Sequence, residues 1–105
     1  MVRLNVLYPR RKGARFDFDY YVNRHLPLLN ELLVPMGLAG LQAHAGHVDG
    51  PGPASSYLMV ASLDFPTPED LRRAMSVHGA AIAADAGRFT DIEPLVQVGS
   101  KVFQA

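Results

Sequence analysis

The sequence predicts an α+β protein with a ferredoxin-like βαββαβ order of elements. Four short stretches alternate or concentrate apolar residues, as strands do, and two longer stretches repeat them every three or four positions, as helices do. In this order the strands form a four-stranded antiparallel sheet with two helices on one face. At 105 residues, with no repeat or linker, the chain is expected to form a single domain over residues 1–105.

The strands are predicted at residues 2–8, 41–48, 57–65 and 94–103. The first alternates, with Val2, Leu4, Val6 and Tyr8 on one face. The third is almost continuously apolar, which is typical of a central strand covered on both sides. The turn-rich residues 49–56 connect the second strand to the third.

The first helix is predicted within residues 16–33. Asp17 is the expected N-cap, and the helix should end near Leu33. Pro27 lacks a backbone donor and is expected to bend the helix on its solvent side. Spacings of three and four define one apolar stripe, made of Phe18, Tyr21, Val22, His25, Leu28, Leu29 and Leu32.

The second helix is predicted to begin after Thr67, with Pro68 at its first position. Gly79 is expected to weaken or break it, and Gly87 to end it. Its inward stripe comprises Leu71, Ala74, Met75, His78 and Ile82.

Composition excludes several classes of function. Ten basic and ten acidic residues cancel, so we expect neither nucleic acid nor an anionic membrane as a partner. The absence of cysteine excludes disulfides, thiol catalysis and thiolate metal sites. No signal peptide and no membrane-spanning apolar run is recognisable, and a cytoplasmic location is therefore expected.

Three segments of the sequence resemble the EthD family of small proteins: VRLNVLYP, FDFDYYVNRHLPLL and HGAAIAADAGRFTDIEPLVQV. The family's hallmark is an aromatic pair followed by a histidine and a proline, here Tyr20, Tyr21, His25 and Pro27. The resemblance extends from about Val2 to Val102 and implies membership of the dimeric α+β barrel superfamily.

The resemblance also implies a homodimer. Two helices on one face leave the other face of the sheet bare, and we expect Tyr57, Met59 and their neighbours to make that face apolar. A second copy would cover it and join two sheets into a barrel-like core.

Two histidines are predicted to face a pocket between the sheet and the helices. His25 lies in the middle of an apolar stripe, where an imidazole must find a hydrogen-bond partner. His78 lies on the inward stripe of the second helix. Asn5 and His44 would line the same pocket if their strand register faces the helices, and Tyr21 lies one turn before His25. For His25 and Tyr21, simple core packing is the alternative role.

No cofactor and no metal are predicted. The sequence has no dinucleotide-binding glycine motif and no P-loop. His44 and His47 fall on opposite faces of a strand and cannot chelate one ion without a bulge. Haem-degrading relatives in the superfamily hold iron with a first-strand asparagine and a second-helix histidine, which Asn5 and His78 resemble, although the rest of the chain does not.

The resulting hypothesis is a cofactor-independent enzyme acting on an apolar, oxygenated small molecule. His25 would be the general acid/base, and Tyr21, Asn5, His44 and His78 would bind the substrate. The resemblance implies isomerase, cyclase or monooxygenase chemistry. The alternatives are a non-catalytic accessory or binding protein of an oxidative degradation pathway, and a dimer whose histidines serve stability alone.

Overall fold

The computed structural model of the chain describes residues 1–48 and 52–105. The predicted order of elements is confirmed. The strands are β1 (Val2–Pro9), β2 (Gly40–Ala45), β3 (Tyr57–Phe65) and β4 (Leu95–Ser100). The helical segments are α1 (residues 18–33), which a short 3₁₀ helix (Val34–Met36) follows, and α2 (Pro68–Ala86). The predicted connection at residues 49–56 lies partly outside the described residues. Strands β2 and β4 are both shorter than the sequence pattern predicts.

The four strands form one antiparallel sheet in the order β2-β3-β1-β4, which is the ferredoxin-like arrangement. Leu4 pairs with Leu63 on one side and Val98 on the other. Because side chains alternate along a strand, this register places Leu4, Val6 and Tyr8 on the face that carries the helices. The intervening residues of β1 point to the opposite face, called here the open face.

Both predicted helix starts are confirmed by their caps. The Asp17 carboxylate accepts a hydrogen bond from the backbone N–H of Tyr20 at 3.0 Å, and the Thr67 hydroxyl accepts one from the N–H of Asp70 at 3.1 Å. Helix α2 continues unbroken through Gly79, so the predicted break is wrong. Burial of its apolar stripe outweighs the cost of one helical glycine, which is about 1 kcal/mol.

The irregularity predicted at Pro27 takes the form of a π-helical turn in α1. Phe18–Tyr20 and Leu26–Leu33 are α-helical, whereas Tyr21–His25 is π-helical. The N–H of Leu26 donates to the carbonyl of Tyr21, five residues back. A proline ring collides with the carbonyl four residues before it in a regular helix, so the wider turn makes room for Pro27.

An aromatic cluster ties the end of α2 to the start of α1. Tyr8, Phe16, Tyr21 and Phe89 contact one another mostly edge to face, with ring centroids 5.0–6.0 Å apart. The N–H of Asp17 donates to the carbonyl of Phe89 at 2.7 Å. These contacts bring the C-terminal turn of α2 against the π-helical turn.

The open face has a different composition from the predicted one. Met59 pairs with Tyr8 and is buried on the helix side, so the prediction that it faces outward is wrong. Strand β3 is apolar on both faces, and its composition alone therefore does not reveal its register. The apolar residues of the open face include Leu7, Val60 and Leu95.

Candidate functional site

His25 is the last residue of the π-helical turn and is only 3% exposed. Its ring stacks on Tyr21, with centroids 5.6 Å apart and planes 21° apart, and Phe89 contacts it at 4.5 Å. Packing on both aromatic rings fixes the orientation of the imidazole.

The buried imidazole has a carboxylate partner on the other helix. Nδ1 of His25 lies 2.8 Å from Oδ2 of Asp85, whose side chain is 12% exposed. An ionised carboxylate only accepts hydrogen bonds, so Nδ1 carries the proton and donates it to Asp85. In the neutral imidazole, Nε2 is then the unprotonated nitrogen and an acceptor.

Asp85 is itself held in place by two further groups. The hydroxyl of Tyr20 donates to its Oδ1 at 2.8 Å, and Nε of Arg88 lies 3.7 Å from the same oxygen. Burial raises the pKa of Asp85, but hydrogen bonds from His25 and Tyr20, with the charge of Arg88, lower it to a net position below its usual value. Asp85 is therefore ionised at neutral pH and orients His25.

A cavity of about 190 Å³ lies between the sheet and the two helices, and His25 is part of its wall. The sheet contributes side chains from β1, β3 and β4, and α2 contributes small residues that include Gly79 and Ala83. Most of the wall is apolar. The remaining wall residues are Leu4, Val6, Tyr8, Tyr21, Leu29, Ala61, Leu63, Met75, Ile82, Ala86, Pro94 and Val96.

Three residues with polar side-chain atoms line this apolar cavity. Among the described residues, no buried side-chain nitrogen or oxygen lacks a hydrogen-bond partner. Nε2 of His25 and the hydroxyls of Tyr8 and Tyr21 make no hydrogen bond to residues 1–48 or 52–105. Since the fully buried polar atoms all have partners, these three atoms are not fully buried. All three residues line the cavity, which makes it a pocket with one acceptor and two phenolic groups.

Burial keeps both phenols protonated. Desolvation raises the pKa of Tyr8 to about 12. Desolvation raises the pKa of Tyr21 still further, with a smaller contribution from the nearby Tyr8. At neutral pH both hydroxyls are therefore able to donate a hydrogen bond to a ligand oxygen.

The structure brings together only part of the predicted site. Tyr21 and His25 share the cavity as predicted. Asn5 and His44 lie on the open face, because their neighbours in sequence face the helices, so the prediction that they line this pocket is wrong. His78 is half-buried on α2 but does not line the cavity either.

The residues that resemble a haem site do not fit one. Asn5 accepts a hydrogen bond from the hydroxyl of Ser62 at 2.7 Å on the open face of the sheet. His78 belongs to α2, on the other side of the same sheet. Because the sheet separates the two side chains, they cannot bind one iron atom.

The sequence assigns no role in the site to Asp85 or to the hydroxyl of Tyr8. An acidic residue in the last turn of a helix interacts unfavourably with the helix dipole. Asp85 lies in the last turn of α2, which has no basic residue. Its position therefore indicates that another group binds the carboxylate. Alternation places Tyr8 on one face of β1 with Val2, Leu4 and Val6, but it does not say whether that face carries the helices.

No helix among the residues that the structure describes is long and apolar enough to cross a membrane.

Comparison with known proteins identifies the family. A sequence model described as EthD domain matches residues 14–93. A search of curated proteins found no match. An EthD-like protein from Ralstonia eutropha is 30% identical, with a TM-score of 0.89, over 99% of this chain and 94% of that one.

Two further solved structures share the fold. An ethyl tert-butyl ether D (EthD) family protein from Bacillus halodurans is 23% identical over 97% of this chain and 99% of its own, with a TM-score of 0.72. A dimeric protein of unknown function with a ferredoxin-like fold, from Bacteroides fragilis, is 9% identical over 95% of both chains, with a TM-score of 0.62. On the match to residues 14–93 and the similarity to the Ralstonia protein, the chain belongs to the EthD family.

Proposed function

We propose that the protein binds a small, apolar, oxygenated molecule between sheet and helices and catalyses acid/base chemistry on it. The observation that carries this proposal is the 2.8 Å hydrogen bond between Nδ1 of His25 and Asp85, at the wall of an apolar cavity. It leaves Nε2 as the atom that exchanges a proton with the ligand. Isomerase, cyclase or monooxygenase reactions all use such a step.

A histidine that serves only stability would have both nitrogens satisfied by protein. Here one nitrogen is bonded to Asp85, whereas the other has no bond to residues 1–48 or 52–105, and His25 lines a space large enough for a ligand. An engineered cavity of about 150 Å³ binds benzene, so about 190 Å³ admits a single substituted ring. This comparison favours a ligand site over the purely structural role.

We also propose that the protein is a homodimer. Leu95 on β4 is 54% exposed although it is a large apolar residue, and Leu7 and Val60 extend the same apolar face. The Bacteroides fragilis protein with this fold is described as dimeric. A second copy placed on the open face would cover these residues.

The enzymatic proposal is tested by proton exchange with single-ring ketones, cyclohexanone and acetophenone, in deuterated water. Proton NMR follows replacement of hydrogen by deuterium at the carbon next to the carbonyl. The protein should accelerate this exchange, and His25→Gln should slow it by about 100-fold or more, the usual contribution of a general base. His47→Gln, which changes an exposed histidine, should have no effect.

Binding without exchange would contradict the catalytic role and support the alternative of an accessory binding protein. If the protein neither binds these ketones nor exchanges their protons, the proposed ligand site is contradicted. Circular dichroism of each variant establishes that the fold is intact.

A further inference from the structure

Tyr8 and Tyr21, each with a phenolic hydroxyl, line the same cavity as His25. Their ring centroids are 6.0 Å apart with the planes at 82°, and Tyr21 stacks directly on the imidazole. Tyr8 comes from the central strand β1 and Tyr21 from the π-helical turn, so each ring is fixed by its own rigid element.

Neither hydroxyl has a partner among residues 1–48 and 52–105, although the two side chains are almost fully buried. An unpaired hydroxyl in an apolar setting is costly unless a ligand or solvent satisfies it. Two hydroxyl donors whose side chains line one small cavity together with His25 suit a substrate oxygen that gains negative charge.

We infer that Tyr8 and Tyr21 form a pair of donors that stabilises an enolate oxygen, and that Tyr8 is thus a further catalytic residue. The inference rests on the acid/base function proposed above and names its substrate class. That class is a neutral, single-ring ketone, or the corresponding enol or phenol.

The chemical step balances without any co-reactant. The lone pair of His25 Nε2 takes a proton from the carbon next to the carbonyl, and the electron pair of that C–H bond forms a C=C bond. The carbonyl π electrons move to oxygen, which accepts hydrogen bonds from the two phenols. The imidazolium then returns the proton to the same carbon, to oxygen or to a conjugated carbon, which gives exchange, enolisation or isomerisation.

The substrate class follows from size and charge. A volume of about 190 Å³ accommodates one ring with few substituents. Among the described residues, no lysine or arginine lines this cavity, so a carboxylate or phosphate substituent would be buried without a counter-charge. A neutral substrate that becomes anionic only at its oxygen avoids this cost.

The test uses two probes of nearly equal size, para-nitrophenol and nitrobenzene. The first binds as its phenolate, which absorbs visible light, whereas the second has no hydroxyl group. Titrations are done with the wild-type protein, with Tyr8→Phe and Tyr21→Phe, and with Tyr57→Phe as the matched control outside the cavity. The same four titrations are repeated in proteins that also carry His25→Gln, at an alkaline pH at which the probe is already ionised.

We expect Tyr8→Phe and Tyr21→Phe each to weaken nitrophenolate binding by roughly 10- to 100-fold, the value of one hydrogen bond to a charged group. Nitrobenzene affinity should be unchanged in every variant, which also shows that the cavity is intact. Tyr57→Phe should behave as the wild type does.

Equal nitrophenolate affinity in Tyr8→Phe and the wild type would overturn the inference, as would equal losses for both probes or no binding of either. The His25→Gln series separates the two proposals. If tyrosine-dependent binding persists there while ketone exchange is independent of His25, the proposed function has failed and the paired donors remain. If ketone exchange needs His25 but nitrophenolate binding does not depend on the tyrosines, the paired-donor inference has failed and the proposed function stands.

Discussion

The carboxylate of Asp85 on α2 accepts a hydrogen bond from Nδ1 of His25 on α1, over 2.8 Å and across 60 residues of sequence. This bond fixes the proton on Nδ1 and joins the last turn of α2 to the π-helical turn of α1.

Replacing Asp85 by asparagine should lower both activity and stability. The amide holds His25 less well in its tautomer, and we expect ketone exchange to fall by at least 10-fold. Loss of the charge-assisted hydrogen bonds from His25 and Tyr20 should lower the free energy of unfolding by about 1–3 kcal/mol. Denaturant titration measures this, with the exposed Glu93→Gln as control. Full activity in Asp85→Asn would contradict the positioning role.

Acid should erase the stability difference between the wild-type protein and Asp85→Asn. The pKa of Asp85 is lower in the folded protein than its ordinary value of 3.8, so its stabilising effect is complete above that value. The effect is lost as the pH falls through the lowered folded pKa. Unfolding free energies measured from neutral pH to below pH 3.8 should therefore converge. A gap that stays constant or widens in that acidic range would contradict this assignment.

Gly79 should leave space in the cavity at a cost to the stability of helix α2. It lies in the middle of α2 and lines the cavity, and a Cβ atom there would meet no atom within 4 Å. Gly79→Ala should raise the free energy of unfolding by about 0.5–1 kcal/mol through helix propensity. Gly79→Val should in addition weaken nitrobenzene binding, since its side chain occupies the ligand's space.

The matched control for Gly79→Val is Ala81→Val, on the exposed side of the same helix. Isothermal titration calorimetry with nitrobenzene compares the two variants. Undiminished affinity in Gly79→Val would show that the ligand does not occupy the space over this residue.

Leu95→Lys should disrupt the proposed dimer. A lysine at this position of the open face would be buried against the second copy without a counter-charge, which is costly. Light scattering after size-exclusion chromatography should show the wild-type protein as a dimer and the variant as a monomer or a weakened dimer. The control is Val77→Lys, an equally exposed apolar position on α2. A monomeric wild-type protein would contradict the proposal.

Much of the fold follows from the sequence because local signals agree with it. Asp17 and Thr67 begin both helices as their side chains predict, and alternation in β1 assigns Leu4 and Tyr8 to one face. Continuity of α2 through Gly79 was not predictable from propensity, since burial of its apolar stripe decides it.

The site was only partly predictable. His25 and Tyr21 follow from helical spacing, but the positions of Asn5 and His44 depend on strand register, which the sequence leaves open when both faces carry apolar residues. Asp85 meets His25 because the aromatic packing around Phe89 holds the end of α2 against the π-helical turn of α1. Such a contact depends on tertiary structure and leaves only the indirect sign of an acid at a helix C-terminus.

Nitrogen NMR of the histidine side chains decides whether His25 holds its proton on Nδ1 and offers Nε2 to a ligand. With four histidines in the chain, comparison with His25→Gln assigns the signal. In the neutral ring we expect a protonated Nδ1 and an unprotonated Nε2, and the Nε2 resonance should move when para-nitrophenol is added. A proton on Nε2 in the neutral ring, or an Nε2 resonance that does not move when para-nitrophenol is added, would contradict the assignment of Nε2 as the acceptor that meets the ligand.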